Sequence, residues 1–319
     1  MSVSFLALCV CAVATLAYTC SLVTLPAVLA VRRGVLALAP RAESRLLFAL
    51  AVLPLVVSIS ALAASLVPSP AVDHCFGDPD PHAHQHLCSE HHPGVFPTGV
   101  PLLLGACLLV SIGFAMVRMP LDAQVGRRLS QGLGRVARVE ADYRVLPFSE
   151  PQAFLIGAVR PQLFVTEGLL TEHAEHLDVV LGHERAHLLF RHALLRTLAK
   201  AALCFHLPVL SHLLERSLDL AHEMSADEEA ALRVGSRERV ASALLQLTRA
   251  TLPLPSAMTG FGCSHIEQRV TRLLDARATL DMPSVRSLLL VSALALLALT
   301  IAAEPVHHGL EMTLGLLGS

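Results

Sequence analysis

Five consecutive residues, His183-Glu184-Arg185-Ala186-His187, set two imidazoles four positions apart with a carboxylate between them. On a helix, residues four apart share a face, so both imidazoles can meet one Zn2+ with Glu184 beside its water. With the His and Glu content of this chain, such a pentapeptide arises by chance roughly 0.05 times, so the motif needs company. A catalytic zinc takes a third protein ligand and keeps one position open. Thirty-six residues after His187, on the next strongly helical segment, stands Glu223-Met224-Ser225-Ala226-Asp227. Glu223 is the expected third ligand, giving a His2Glu set and one zinc per chain. Asp227, four residues on, can accept a hydrogen bond from a ligand imidazole and fix its tautomer. The competing reading is an ordinary helix surface, with Asp227 in a salt bridge to a nearby Arg. His192, His206, His212 and His222 read as packing or surface residues, and a helical His222 would point about 100° away from Glu223.

The elements that must carry these side chains can be sketched from local patterns. Arg135–Leu146 and Gln152–Thr166 collect β-formers around Pro147, Pro151 and Pro161 and predict two or three strands. Thr171 is a candidate cap for a helix starting near Glu172 and reaching about Arg191. A second helix is expected from about Leu213 to Val234, stopped by Gly235. Arg237–Thr251 looks helical, Leu252–Cys263 a Pro- and Gly-containing loop, and Ser264 with Glu267 a capping box for a last helix, Ile266–Ala278.

Composition points to a bilayer. Of 319 residues, 54% are hydrophobic and 16% charged, against about 25% charged in ordinary soluble domains, and the mean hydropathy is +0.59. A net charge of -2 with scattered basic residues gives no footprint for nucleic acid. A span needs about 20 apolar residues. Val3–Val31, Leu46–Val67 and Thr98–Val117 qualify, and Ser287–Ala303 is a shorter fourth. The first is read as a span rather than a cleaved signal peptide, since no basic residue precedes it and the apolar run is too long. Cys9, Cys11, Cys20 and Cys107 sit in apolar stretches as small hydrophobes.

Arg32, Arg33, Arg41 and Arg45 lie between spans one and two; Arg118, Arg127 and Arg128 follow span three; Arg272, Arg277 and Arg286 precede span four. The Asp73–Pro97 loop and the tail after Glu304 contain no Lys or Arg. The bias of positive charge predicts both termini outside and residues 118–286 in the cytoplasm. One further apolar stretch, Ala193–Leu214, contains Arg196, Lys200, His206, His212 and Pro208. A single crossing there would separate His187 from Glu223 by roughly 30 Å, which a shared metal forbids. The segment must be a hairpin, a surface-lying helix or a buried core helix. The outer loop holds His74, His82, His84, His86, His91 and His92 beside Cys75 and Cys88. It reads as a solvated Pro-rich loop, with transition-metal binding or acid sensing, and a disulfide in an oxidising compartment, as the sharper alternatives.

The His183–His187 motif, the Glu223–Asp227 pair and the run from Phe154 to Leu170 together resemble membrane zinc metallopeptidases of the gluzincin type. Two families share the layout. The four-span topology resembles the BlaR/MecR-like antirepressor peptidases. Phe164–Leu170, Arg191-His192 and Ala226-Asp227 resemble the HtpX-like and prenyl-protein endopeptidases. The extracellular penicillin-binding sensor domain of the antirepressors has no counterpart in the sequence. The resemblance implies that zinc polarises a scissile carbonyl, while Glu184 takes a proton from water and returns it to the leaving amine. It also implies that the segment around Leu163–Thr166 is an edge strand on which an extended substrate is held. His265 and Arg269 match a late His/Arg motif, implying contact with the substrate or transition state.

The fold class expected is a multi-span α-helical membrane protein with a cytoplasmic α+β zincin-like metallopeptidase domain. Residues 1–119 would hold three spans and the outer loop (68–97), 120–283 the peptidase domain, and 284–319 the fourth span and a short outer tail. The expected function is zinc-dependent endoproteolysis at the inner (plasma) membrane. Its partners would be the lipid bilayer and a protein substrate, either a transcriptional repressor or a membrane protein. The alternative is a catalytically silent signalling or binding protein that retains the zinc fold. A transporter would carry ionisable residues within its spans, and the four apolar segments have none.

Overall fold

The computed structural model describes residues 3–66, 99–140, 142–248, 258–260 and 265–275. The expected fourth span, the His-rich loop, Cys75, Cys88 and Ser264 lie outside the described residues. Among the described residues, three helices are long and apolar enough to cross a membrane: α1 (Val3–Arg32), α2 (Pro40–Leu66) and α3 (Gly99–Val136). The third corrects its expected end at Val117. It runs on through Pro120 without a break for 38 residues, about 57 Å. Its extension is held because Leu129 and Leu133 pack on the sheet against Leu146, Phe154, Ile156 and Phe164.

The sheet contains β1 (Arg138–Val139), β2 (Arg144–Leu146), β3 (Ala153–Ile156), β4 (Gln162–Thr166) and β5 (Met258–Gly260), in the order β1-β2-β4-β3-β5. Alternate residues point to opposite faces. Phe154, Ile156 and Phe164 therefore meet α3, while Ala153, Leu155, Leu163 and Val165 face the helical core. The strand β4 is interior, parallel to β2 and antiparallel to β3. Both of its edges are used, which overturns the expectation of a substrate-accepting edge around Leu163–Thr166. The fifth strand falls in the expected Leu252–Cys263 loop. Its pairing with β3 is long-range, and a turn-rich local sequence gives no sign of it.

Helix α4 (Glu167–Glu172) and a 3-10 turn at Ala174–His176 precede α5 (Leu177–Leu189). Thr171 is therefore not a cap: its hydroxyl donates to the Glu167 carbonyl inside α4. The start of α4 is pinned by Gly168, whose N–H donates to the Phe148 carbonyl. A Cβ there would lie 1.8 Å from the Ser149 carbonyl oxygen.

The stretch Ala193–Leu214 is a helical hairpin. Helix α6 (His192–Ala202) leads through a 3-10 turn (Leu203–Phe205) into α7 (Pro208–Val234), which starts at Leu213 minus more than a turn and ends at Gly235 in the left-handed region. The charges in this apolar segment neutralise one another across the hairpin, Arg196 to Asp219 at 2.7 Å and Lys200 to Glu215 at 3.5 Å. The hairpin is wedged among the long helices. Phe205 and Leu207 pack by Val13, Ala14, Tyr18 and Leu108, and α7 contributes Leu210, Leu214 and Leu218 to a core with Val28, Val31, Leu47 and Ala51. His206 sits at the tip, bonded to Ser21 Oγ at 3.0 Å and the Ala51 carbonyl at 3.1 Å. Ser21 is roughly 16 Å along α1 from its Arg32 end, about half of a ~30 Å hydrocarbon layer.

Helix α8 (Arg237–Thr248) closes the helical core, and α9 (Ile266–Leu274) is shorter than expected. His265, not Ser264, precedes α9 as its cap residue, with a left-handed φ of 53° and no side-chain capping bond. Replacing His206 by Leu removes two interhelical hydrogen bonds, each worth about 0.6–1.7 kcal/mol in a membrane setting. The expected outcome is a lower melting temperature in detergent with zinc content unchanged, measured by thermal unfolding and elemental analysis.

Candidate metal centre

The two helices that carry the motif pack directly on each other. Small residues permit the approach: a Cβ on Gly182 would lie 3.6 Å from the Ala230 Cα, and Ala186, Ala226 and Ala230 are fully buried. This contact turns His183 and His187 of α5 towards Glu223 of α7. The ligand atoms of the three lie within 4.8 Å of one another. His183 Nε2 is 3.0 Å from His187 Nε2 and 3.5 Å from Glu223 Oε2, and His187 Nε2 is 3.7 Å from Glu223 Oε1. Ligands about 2.0–2.1 Å from a tetrahedral zinc stand roughly 3.3 Å apart, so the donor set fits that ion. Glu184, the residue after the first candidate ligand, is fully buried.

The atoms behind the donors are placed to orient them. Asp227 Oδ1 lies 2.9 Å from His183 Nδ1, which leaves Nε2 facing the cluster. Burial alone would lower the His183 pKa, but the Asp227 and Glu223 carboxylates outweigh it and raise it to about 9. A cation at Nε2 would replace that proton. Arg269 of α9 is fully buried. Its Nε and Nη2 donate to the two Asp227 oxygens at 2.7 and 2.6 Å, and its Nη1 lies 3.2 Å from Glu223 Oε2. Burial pushes both carboxyl pKa values up. Arg269 and His183 reverse this, holding Asp227 below and Glu223 well below the ordinary range.

His187 is oriented by a relay that sequence reasoning missed. Burial holds the pKa values of His187 and His192 well down, so both rings are neutral near pH 7. Ser225 Oγ donates to the His222 carbonyl at 2.9 Å. It must therefore accept from His192 Nε2, 3.2 Å away. That leaves His192 Nδ1 as the acceptor for His187 Nδ1, at 2.8 Å, and the His187 Nε2 lone pair faces the cluster. His222 stacks on the back of His192 with ring centroids 4.2 Å apart. Helical spacing could not reveal this. Arg191 breaks the helix in the left-handed region at φ 55°, and the chain reverses to bring His192 beneath His187.

Residues 123–251 match peptidase family M48. That stretch is similar to the M48 peptidase domain. No curated protein and no solved structure matches the chain. The matched stretch covers both helices that carry the candidate ligands, whereas Arg269 lies beyond it. Arg269, expected to contact substrate or transition state, lies beside Asp227 and Glu223, with each of its three guanidinium nitrogens near one of their carboxylate oxygens. His265 stands exposed one turn earlier, at the start of α9.

His192→Phe keeps a ring against His222 but removes the acceptor for His187. Zinc affinity, measured by chelator competition, is expected to fall about 10- to 100-fold. Arg269→Met leaves two buried carboxylates without their cation and is expected to cost about 3–5 kcal/mol in chemical denaturation.

Proposed function

We propose that the chain is an integral-membrane zinc endopeptidase acting on protein substrates at the cytoplasmic face of the membrane. The observation that carries this reading is the convergence of His183, His187 and Glu223, with Glu184 adjacent, inside the stretch similar to the M48 domain. Three long apolar helices support the membrane setting. The Arg-rich segments beside α1, α2 and α3 support the cytoplasmic placement.

Zinc bound there would supply the positive charge that polarises a scissile carbonyl and acidifies a water. The protein's own groups do the rest. His183, His187 and Glu223 hold the ion. Asp227 and the His192–Ser225 pair fix the two ring tautomers, and Arg269 keeps both carboxylates ionised and in place. Glu184 takes the proton from the attacking water and delivers it to the leaving amine. His265, exposed beside α9, is the residue we assign to substrate contact.

The test uses detergent-purified protein, with zinc per chain measured alongside cleavage of casein and of the cellular membrane proteome. Glu184→Gln is expected to keep about one zinc per chain while losing about 10²- to 10⁴-fold in cleavage rate. Chelation should abolish wild-type cleavage and zinc restore it. Zinc in both proteins with cleavage in neither would favour a binding role, and zinc in neither would remove the ligand assignment.

A further inference from the structure

A second recess lies outside the metal cluster. It is a half-open cavity of about 570 Å3 between α3, the β3–β4 turn and the first turns of α6. Its long wall is the part of α3 from Met119 to Gln131, about 18 Å of helix. That length matches five residues of extended chain at roughly 3.3 Å each, and the volume is ordinary for a binding pocket. One end starts two residues past the last apolar residue of the span, Val117. The other reaches Ile156, the end of β3, and Ala193, the neighbour of His192 in the relay behind His187.

The lining is apolar with a one-sided charge. Arg127, Arg160, Arg196 and Lys200 line it, against Asp122 alone among acidic groups. Arg196 and Lys200 are matched within the hairpin by Asp219 and Glu215. Arg127 and Arg160 are exposed and make no ion pair among the described residues. Beside Arg160, Val159 is 79% exposed at the tip of the turn. We propose that this groove docks an extended, acidic polypeptide segment of the substrate, holding it between the membrane surface and the back of the metal centre. The inference rests on the peptidase reading above and names the substrate class: chains with acidic residues directly following a membrane-embedded segment.

Depth decides between a polypeptide and an anionic lipid. Headgroups extend only about 5–8 Å beyond the hydrocarbon layer. Arg127 lies ten residues past Val117, about 15 Å along α3, so its place on the helix is beyond the headgroup layer of the leaflet. The groove also supplies what β4 cannot, because β4 is paired on both edges.

The test uses full-length Glu184→Gln protein, zinc-loaded, in nanodiscs of zwitterionic lipid. Fluorescein-labelled decapeptides rich in Asp and Glu are compared by anisotropy with their Lys-substituted counterparts. The acidic peptide is expected to bind about tenfold tighter, and Arg127→Glu with Arg160→Glu to invert that preference. Arg127→Gln with Arg160→Gln should abolish the preference without reversing it. Equal binding of the two peptides, or a preference indifferent to these substitutions, overturns the proposal. So does loss of acidic-peptide binding when phosphatidylglycerol is added to the nanodiscs, which would give the groove to lipid. Casein cleavage by the wild type is measured separately. Its absence alongside an Arg127- and Arg160-dependent preference would fault the peptidase reading and leave the groove standing.

Discussion

Two carboxylates, Glu223 and Asp227, are buried within one turn of α7, and nearly everything around the metal centre follows from making that burial tolerable. An isolated ionised carboxylate in a low-dielectric interior costs several kcal/mol. Arg269 meets both with one guanidinium, and His183 bonds Asp227 from the other side. A zinc ion would add the positive charge that Glu223 faces from the front. The cluster is an alternation of charges: His183 and a cation on one side, two carboxylates between, and Arg269 behind. Each member is held by its neighbours, which is why the loss of any one is costly.

That requirement reaches into the fold. Arg269 comes from α9, so the centre needs a segment more than 40 residues beyond Asp227 to return and pack under α7. The same α9 ties the domain to the membrane helices, because the Arg272 guanidinium donates to the Leu38 carbonyl in the loop between α1 and α2. Helix α7 extends the coupling in the other direction. Its first half packs between α1 and α2 and its second half carries Glu223 and Asp227. Together with the extension of α3 under the sheet, these contacts make the metal centre and the apolar helices one structure. Since α6 returns from the hairpin tip to His192 over 11 residues, about 16 Å, the centre stands close to the Arg32 end of α1 and the Pro40 end of α2.

The hairpin shows how polar residues can enter an apolar environment when each charge is matched. Arg196 and Lys200 are matched by Asp219 and Glu215 in antiparallel register, so no net charge is carried inward. His206 finds an acceptor and a hydroxyl on two different helices. The polar groups that argued against a simple span are the ones that fasten the hairpin in place.

Local sequence determined much of this. Four-residue spacing placed His183 beside His187 and Glu223 beside Asp227, because a helix repeats its face every 3.6 residues whatever surrounds it. Hydropathy marked the three long helices, and the metal's demand for ligands on one side ruled out a single crossing between His187 and Glu223. Tertiary structure decided what depends on chain reversal and distant pairing. His192 joins the centre only because Arg191 breaks a helix. Arg269 reaches Asp227 and Glu223 only because α9 packs beneath α7. The strand β4 lost its expected edge because β2 and β3 both pair with it. None of these has a periodic signature, since each is fixed by tertiary contacts and not by the spacing of residues along one helix or strand.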